Sequence, residues 1–157
     1  MEWGLAIGLF AAAIAAILPG MGSAKAVGLA GETAAGVSAE TPEASSKLTL
    51  LQLLPATQGI YGFVIAIVIM AKIGIIGGSG AVVPVDKALM LLAAALPIAL
   101  VGYFSAIAQG KCAAGSMLMV GRRPEMQGKG MMMTAMVETY AVLALLISFL
   151  CVNAIVL

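Results

Sequence analysis

Histidine is absent from this chain of 157 residues, charged residues make up only 10% of it, aromatics 5%, and there is a single Trp. Soluble domains carry about a quarter charged residues, and one of ~150 residues buries only about 70% of its extended-chain surface. With 62% hydrophobic residues, this chain has more apolar surface than such a fold could hide. A soluble enzyme is excluded, and the composition is that of an integral membrane protein. The formal net charge of +1 supplies no basic patch for a phosphate backbone, so nucleic acid is not a partner. Cys112 and Cys151 stand in apolar runs and form no metal-binding spacing. No Gly-rich run ending in Gly-Lys-Ser or Gly-Lys-Thr is present to cradle a phosphate, so the chain does no nucleotide chemistry.

What is present is organised by the few charges. Residues 3–24, 48–71 and 88–110 carry none, and residues 130–157 carry only Glu138. Each stretch exceeds the ~20 residues that cross a ~30 Å hydrocarbon core as a helix. Helices are required because lipid cannot satisfy exposed backbone groups, and the alternation of a transmembrane strand is missing. The first stretch follows Glu2 rather than a basic segment and resembles a later one, so it reads as a span and not as a signal peptide. The expected fold is an all-α membrane protein with four transmembrane helices.

Residues 32–47 read as the connection between the first and second spans, residues 74–87 (GIIGGSGAVVPVDK) as the second, and residues 121–129 as the third. The first and third connections with their flanks hold Lys25, Lys47, Lys111, Arg122, Arg123 and Lys129; the middle one holds Lys72 and Lys87. This asymmetry predicts a multi-pass protein of the cell membrane with the first and third loops in the cytoplasm and both termini outside.

The chain also repeats itself. GMGSAKAVGLAG (residues 20–31) parallels AIAQGKCAAGSM (106–117), with Ser23 and Gln109 each two positions before a Lys. TQGIYGFVIAIVI (57–69) parallels VETYAVLALLISF (137–149), aligning Gln58 with Glu138. Lys25 and Gln58 lie 33 positions apart, Lys111 and Glu138 27, which assigns the first hairpin the longer loop. The reading is two tandem duplicated helical hairpins, residues 1–78 and 79–157, in one compact membrane unit. Gly4/Gly8, Gly22/Ala26/Ala30 and Gly110/Ala114 show the four-residue spacing that lets helices approach closely in lipid. The first and third spans are therefore expected to form a tight inner layer, with the second and fourth facing lipid. The Met-rich run over residues 117–136 reads as adaptable apolar filler.

Glu138 is the residue that packing alone does not account for. It lies nine residues past Lys129, about 14 Å along a helix. That is close to half of a ~30 Å core, where a carboxylate costs at least ~2.5 kcal/mol and usually marks an ion or proton pathway. No basic residue sits at that depth on the second or fourth span; Lys25 and Lys111 lie nearer the cytoplasmic ends, where they can snorkel. A proton or a cation must then neutralise it. On the second span Leu54, Thr57, Gln58 and Tyr61 fall on one helical stripe, and Pro55 disturbs the helix there by removing a backbone donor. Gln109 on the third span adds a second amide. A proton needs only the carboxylate, whereas Na⁺ is a hard cation wanting several oxygen ligands. The oxygen count favours sodium.

Three separated segments, LPATQGIYG (54–62), AIAQGK (106–111) and AMVETYA (135–141), resemble in order and spacing the proteolipid (K or c) subunits of bacterial and archaeal V/A-type rotary ATPases, especially sodium-pumping members. The resemblance implies a four-helix subunit, duplicated from a two-helix ancestor, that assembles into a homo-oligomeric rotor ring in membrane lipid. It implies one essential carboxylate, Glu138, the first hairpin carrying Gln58 instead. It further implies Na⁺ ligands at the Leu54 carbonyl, Thr57, Gln58, Gln109 and Glu138, with Tyr61 hydrogen-bonding the carboxylate. Ala56 stands where relatives often have Gly. A stator subunit would supply an Arg that competes for Glu138, and a central-stalk subunit would dock on the cytoplasmic loops around Arg122, Arg123 and Glu125.

Three other readings compete. The same ring could carry H⁺, with the amides only steadying Glu138. A dimeric four-helix secondary transporter would want aromatic neighbours for its carboxylate, yet the one Trp is Trp3, and tandem hairpins are not an inverted repeat. A purely structural spacer would leave Glu138 and its oxygen partners without a role.

Overall fold

A computed structural model describes residues 3–78 and 82–157, all of it helix, turn or coil with no strand among the described residues. Helix α1 covers Trp3–Glu40, α2 Ser45–Leu53, α3 Thr57–Lys72, α4 Val85–Arg122 and α5 Gln127–Ala154. A short 3₁₀ turn, Leu54–Ala56, joins α2 to α3 into one span, so four helical units are long and apolar enough to cross a membrane. Large apolar side chains such as Phe10, Phe63, Phe104, Leu143 and Leu150 point outward on all four. That distribution suits hydrocarbon and not water. This is a multi-pass membrane protein.

The helices run further than the charge pattern predicts. Residues 32–40, expected as connection, continue α1, whose 38 residues extend about 57 Å. Polarity there marks the exit from lipid, not the end of the helix. The turn comes only at Thr41, where the following Pro42 drives the backbone to φ −135°, ψ 79°. The third connection repeats this: α4 reaches Arg122, and Arg123 before Pro124 adopts φ −140°, ψ 85°. Both turns thus read X-Pro-Glu, a parallel between the halves beyond the aligned Lys and amide positions. The extra residues of the first hairpin lie in helix rather than loop, since Thr41 is 16 residues past Lys25 but Arg123 only 12 past Lys111. Lys47 Nζ donates to the Pro124 carbonyl (3.2 Å) and ties the two turns together.

At the opposite end α3 closes with Gly74 in the left-handed region (φ 78°), where Gly74 N–H meets the Ala71 carbonyl (3.2 Å) and Ile75 N–H the Met70 carbonyl (3.0 Å). This pairing caps a helix C-terminus at a residue that needs no Cβ. Pro84 then precedes α4. The boundary expected between residues 78 and 79 falls at residues 79–81, which, like residues 1–2, lie outside the described residues.

Helices α1 and α4 form the most extensive contact, as their small residues predict. Ala11, Ala15, Ala30, Ala95, Ala99 and Ala113 are fully buried. Helix α3 packs on α1, α5 on α4, and α3 touches α5 more lightly. At Gly110 a Cβ would stand 2.7 Å from Ala26 Cα, so the two backbones are in direct contact there. Pro97 interrupts the α4 ladder, and the next N–H, that of Ile98, is met by Ser148 Oγ of α5 at 3.1 Å.

Gly110→Ala should therefore force α1 and α4 apart and cost about 1–3 kcal/mol. Gly36→Ala, with nothing within 4 Å of the added methyl, should be neutral. Thermal unfolding of the detergent-purified protein checks this; equal stability of the two variants would contradict the close approach.

Candidate ion-binding site

The break in the second span sets the site's geometry. Pro55 has no N–H, and the chain tightens into the 3₁₀ turn Leu54–Ala56 before α3 restarts at Thr57. A restarted helix exposes its first-turn N–H groups. Two of them are met locally. The Leu54 carbonyl accepts from the Thr57 N–H and also from Thr57 Oγ1 at 3.0 Å. The Gly59 N–H donates to Ser23 Oγ of α1 at 2.9 Å. Irregular backbone at membrane depth is thereby held by protein rather than left to lipid.

Gln58 and Gln109 are both completely buried and meet each other, Gln58 Nε2 donating to Gln109 Oε1. Gln109 Nε2 in turn donates to the main-chain carbonyl of Thr134 on α5 at 3.2 Å. One turn along α3 from Gln58, the Tyr61 hydroxyl donates to Glu138 Oε1. The helices α3, α4 and α5 thus converge on one polar point, with the Leu54–Ala56 turn beside it. Glu138 is half-buried and opens on its other side to a groove of about 360 Å³ lined by Ala135, Thr139, Val142 and Leu143.

One atom in this cluster stands out chemically. Gln58 Oε1 is buried and accepts no hydrogen bond from any of the described residues. Leaving a buried acceptor unsatisfied costs about 1–3 kcal/mol, and nearly all such groups in native proteins are paired. The surrounding chemistry is oxygen-rich, with the Leu54 carbonyl, the Thr57 hydroxyl, two amide oxygens and a carboxylate. That set suits a hard monovalent cation.

Each sequence-selected residue falls in this region: Leu54, Thr57, Gln58 and Tyr61 on consecutive turns of the second span, Gln109 against Gln58, and Glu138 against Tyr61. Lys25 faces elsewhere, its Nζ 3.1 Å from the Tyr103 hydroxyl and over that ring. Ser23 and Gln109, aligned by the internal repeat, do matching work, since each hydrogen-bonds the main chain of the span that follows it. Sequence reasoning missed Thr134 and Ser116, which are buried on α5 and α4 with their hydroxyls 3.3 Å apart. Their spacing was a usable signal, because Thr134 is four residues before Glu138 and Ser116 seven after Gln109, on the same helical faces.

Comparison with known proteins agrees with this duplicated architecture. The profile of the ATP synthase C-subunit family matches residues 10–69 and again residues 92–151. The V-type sodium ATPase subunit K of Enterococcus hirae is 46% identical over 149 residues, 95% of this chain and 92% of that protein. The A-type ATP synthase subunit K of Methanocaldococcus jannaschii is 35% identical over 142 residues, 90% of this chain and 61% of that longer protein. With both halves matched by one profile and relatives aligned along nearly its whole length, the chain belongs to the ATP synthase C-subunit family as a tandem pair of its helical hairpins.

Proposed function

We propose that this chain is the membrane rotor-ring subunit of a V/A-type rotary ATPase and that it binds and carries Na⁺ at Glu138. The observation that carries the sodium assignment is Gln58 Oε1, buried and without a donor among its neighbours. A cation supplies the missing partner. Its ligands are the Leu54 carbonyl, Thr57 Oγ1, Gln58 Oε1, Gln109 Oε1 and the Glu138 carboxylate, while Tyr61 holds that carboxylate by a hydrogen bond. The Enterococcus hirae relative, named as a sodium ATPase subunit, supports the same choice. The competing reading, H⁺, needs only the Tyr61–Glu138 pair and gives Gln58 Oε1 no role.

The mechanism follows from electrostatics. A bare carboxylate facing hydrocarbon costs at least ~2.5 kcal/mol, so a subunit turns through lipid only with its ion bound. At the stator a fixed Arg of another subunit competes for Glu138 and releases the Na⁺. An offset aqueous path reloads the site before it faces lipid again. Copies of the chain form the homo-oligomeric ring, each contributing its two hairpins, residues 1–78 and 79–157, as one unit. The X-Pro-Glu turns face the cytoplasm, both termini face outside, and the central stalk docks on the turns around Arg122, Arg123 and Glu125. The chain performs no chemistry on ATP; hydrolysis belongs to other subunits, and this one converts rotation into ion transfer.

Glu138→Gln removes the negative charge with little change of shape. ATP-driven Na⁺ uptake into membrane vesicles should vanish while the ring still assembles, and retained uptake would assign the wrong residue. Tyr61→Phe deletes a hydrogen bond to a charged group, and such bonds contribute roughly 1.5–3 kcal/mol. The Na⁺ concentration for half-maximal ATPase activity should rise about tenfold or more. No change in that value would remove Tyr61 from the site.

A further inference from the structure

Gln58 and Gln109 each carry a carboxamide with a donor end and an acceptor end, and the structure fixes which end faces which neighbour. The Thr134 main-chain carbonyl can only accept, so the group of Gln109 facing it must be the Nε2 amine, here at 3.2 Å. Gln109 Oε1 is thereby turned toward Gln58. It accepts from Gln58 Nε2, which leaves Gln58 Oε1 on the remaining side, where no donor among the described residues meets it. The polarity of two amides descends from one carbonyl on α5.

The helical turn that leads into that carbonyl is held by a small buried clamp centred on the Gly130 carbonyl. Thr134 Oγ1 donates to the Gly130 carbonyl (2.9 Å), Ser116 Oγ donates to the same carbonyl (3.2 Å), and the two hydroxyls lie 3.3 Å apart. Ser116 belongs to α4, two turns from Gln109, so the clamp fastens α5 to the helix that carries Gln109. Gly130, which lacks a side chain, lets α4 come this near: a Cβ there would lie 3.1 Å from Ser116 Cβ.

We propose that Ser116 and Thr134 are positioning residues for the ion: they hold the Thr134 carbonyl against Gln109 and so keep the oxygen, not the amine, of Gln58 turned toward Na⁺. The proposal rests on the sodium reading above. A reversed Gln58 would present two N–H groups to a cation and repel it. A proton on Glu138 is indifferent to that reversal, because its hydrogen bond comes from Tyr61. Loss of the clamp therefore weakens Na⁺ and leaves proton binding alone, a split that general loosening of the helices would not produce.

The test uses the assembled ring purified in detergent, with equilibrium binding of radiolabelled Na⁺ and, separately, the pH profile of carbodiimide labelling at Glu138 without Na⁺. Thr134→Val and Ser116→Ala should each weaken Na⁺ binding about five- to tenfold, the effect of losing one buried hydrogen bond. Thr134→Ser, which keeps the hydroxyl, should restore affinity to within about twofold, and the sodium-free pH profile should stay that of the wild type in all three. If Thr134→Val does not assemble, Ser116→Ala decides, since it deletes a single oxygen. Unchanged Na⁺ affinity in Ser116→Ala, or a pH profile that shifts along with affinity, overturns the proposal. A wild-type ring that labels normally but binds no Na⁺ overturns instead the sodium reading beneath it.

Discussion

A carboxylate in the middle of a membrane-spanning helix has to be neutralised, and among the described residues no hydrogen bond or ion pair brings a Lys or Arg to Glu138. Tyr61 donates a hydrogen bond to the carboxylate, which steadies the group without removing its charge. The neighbouring polar groups are oxygens and amides. A proton or a mobile cation is the remaining counter-charge, and a carrier whose charge is cancelled only by its cargo crosses lipid only when loaded. On the proposed rotor-ring reading, tight coupling of rotation to transport follows from that constraint.

The rest of the fold makes the constraint usable. Small residues along α1 and α4 bring two backbones into contact, giving an inner pair against which the second span and α5 are set. The Pro55 break then frees main-chain groups next to the site, and Ser23 from α1 braces the restarted helix. Duplication explains the asymmetry of the two halves. Gln58 occupies the position that Glu138 holds in the second hairpin, so in the proposed site the first hairpin lends a neutral oxygen where it would otherwise bring a second carboxylate. Two carboxylates at one site would demand two cations or a proton; one carboxylate and an amide suit a single monovalent ion.

Much of this was legible in the sequence because apolar helices make polar residues conspicuous. The four spans followed from the charge-free stretches, and Gln58, Tyr61, Gln109 and Glu138 stood out as polar groups inside them. The helix ends were not legible from charge, since residues 32–40 leave the lipid before they leave the helix; the X-Pro-Glu turns, which depend on proline sterics, mark the ends instead. Thr134 and Ser116 do not stand out in the sequence, because a hydroxyl in a membrane helix commonly bonds to its own backbone, as Thr134 does to Gly130. Their contact across α4 and α5 depends on packing that no single span encodes. Amide polarity was likewise invisible, since a glutamine reads the same in sequence whichever end faces its neighbour.

The most direct test of the central claim is labelling of Glu138 in the assembled ring by a hydrophobic carbodiimide, with and without Na⁺, across pH. The reagent attacks the protonated carboxyl, so a bound ion blocks it. Protection by Na⁺ at millimolar concentration or below, lost as acid competes for the carboxylate, is the result the account predicts. Labelling that follows pH alone and ignores Na⁺ would contradict it, leaving a proton ring in which Gln58 and Gln109 are scaffolding.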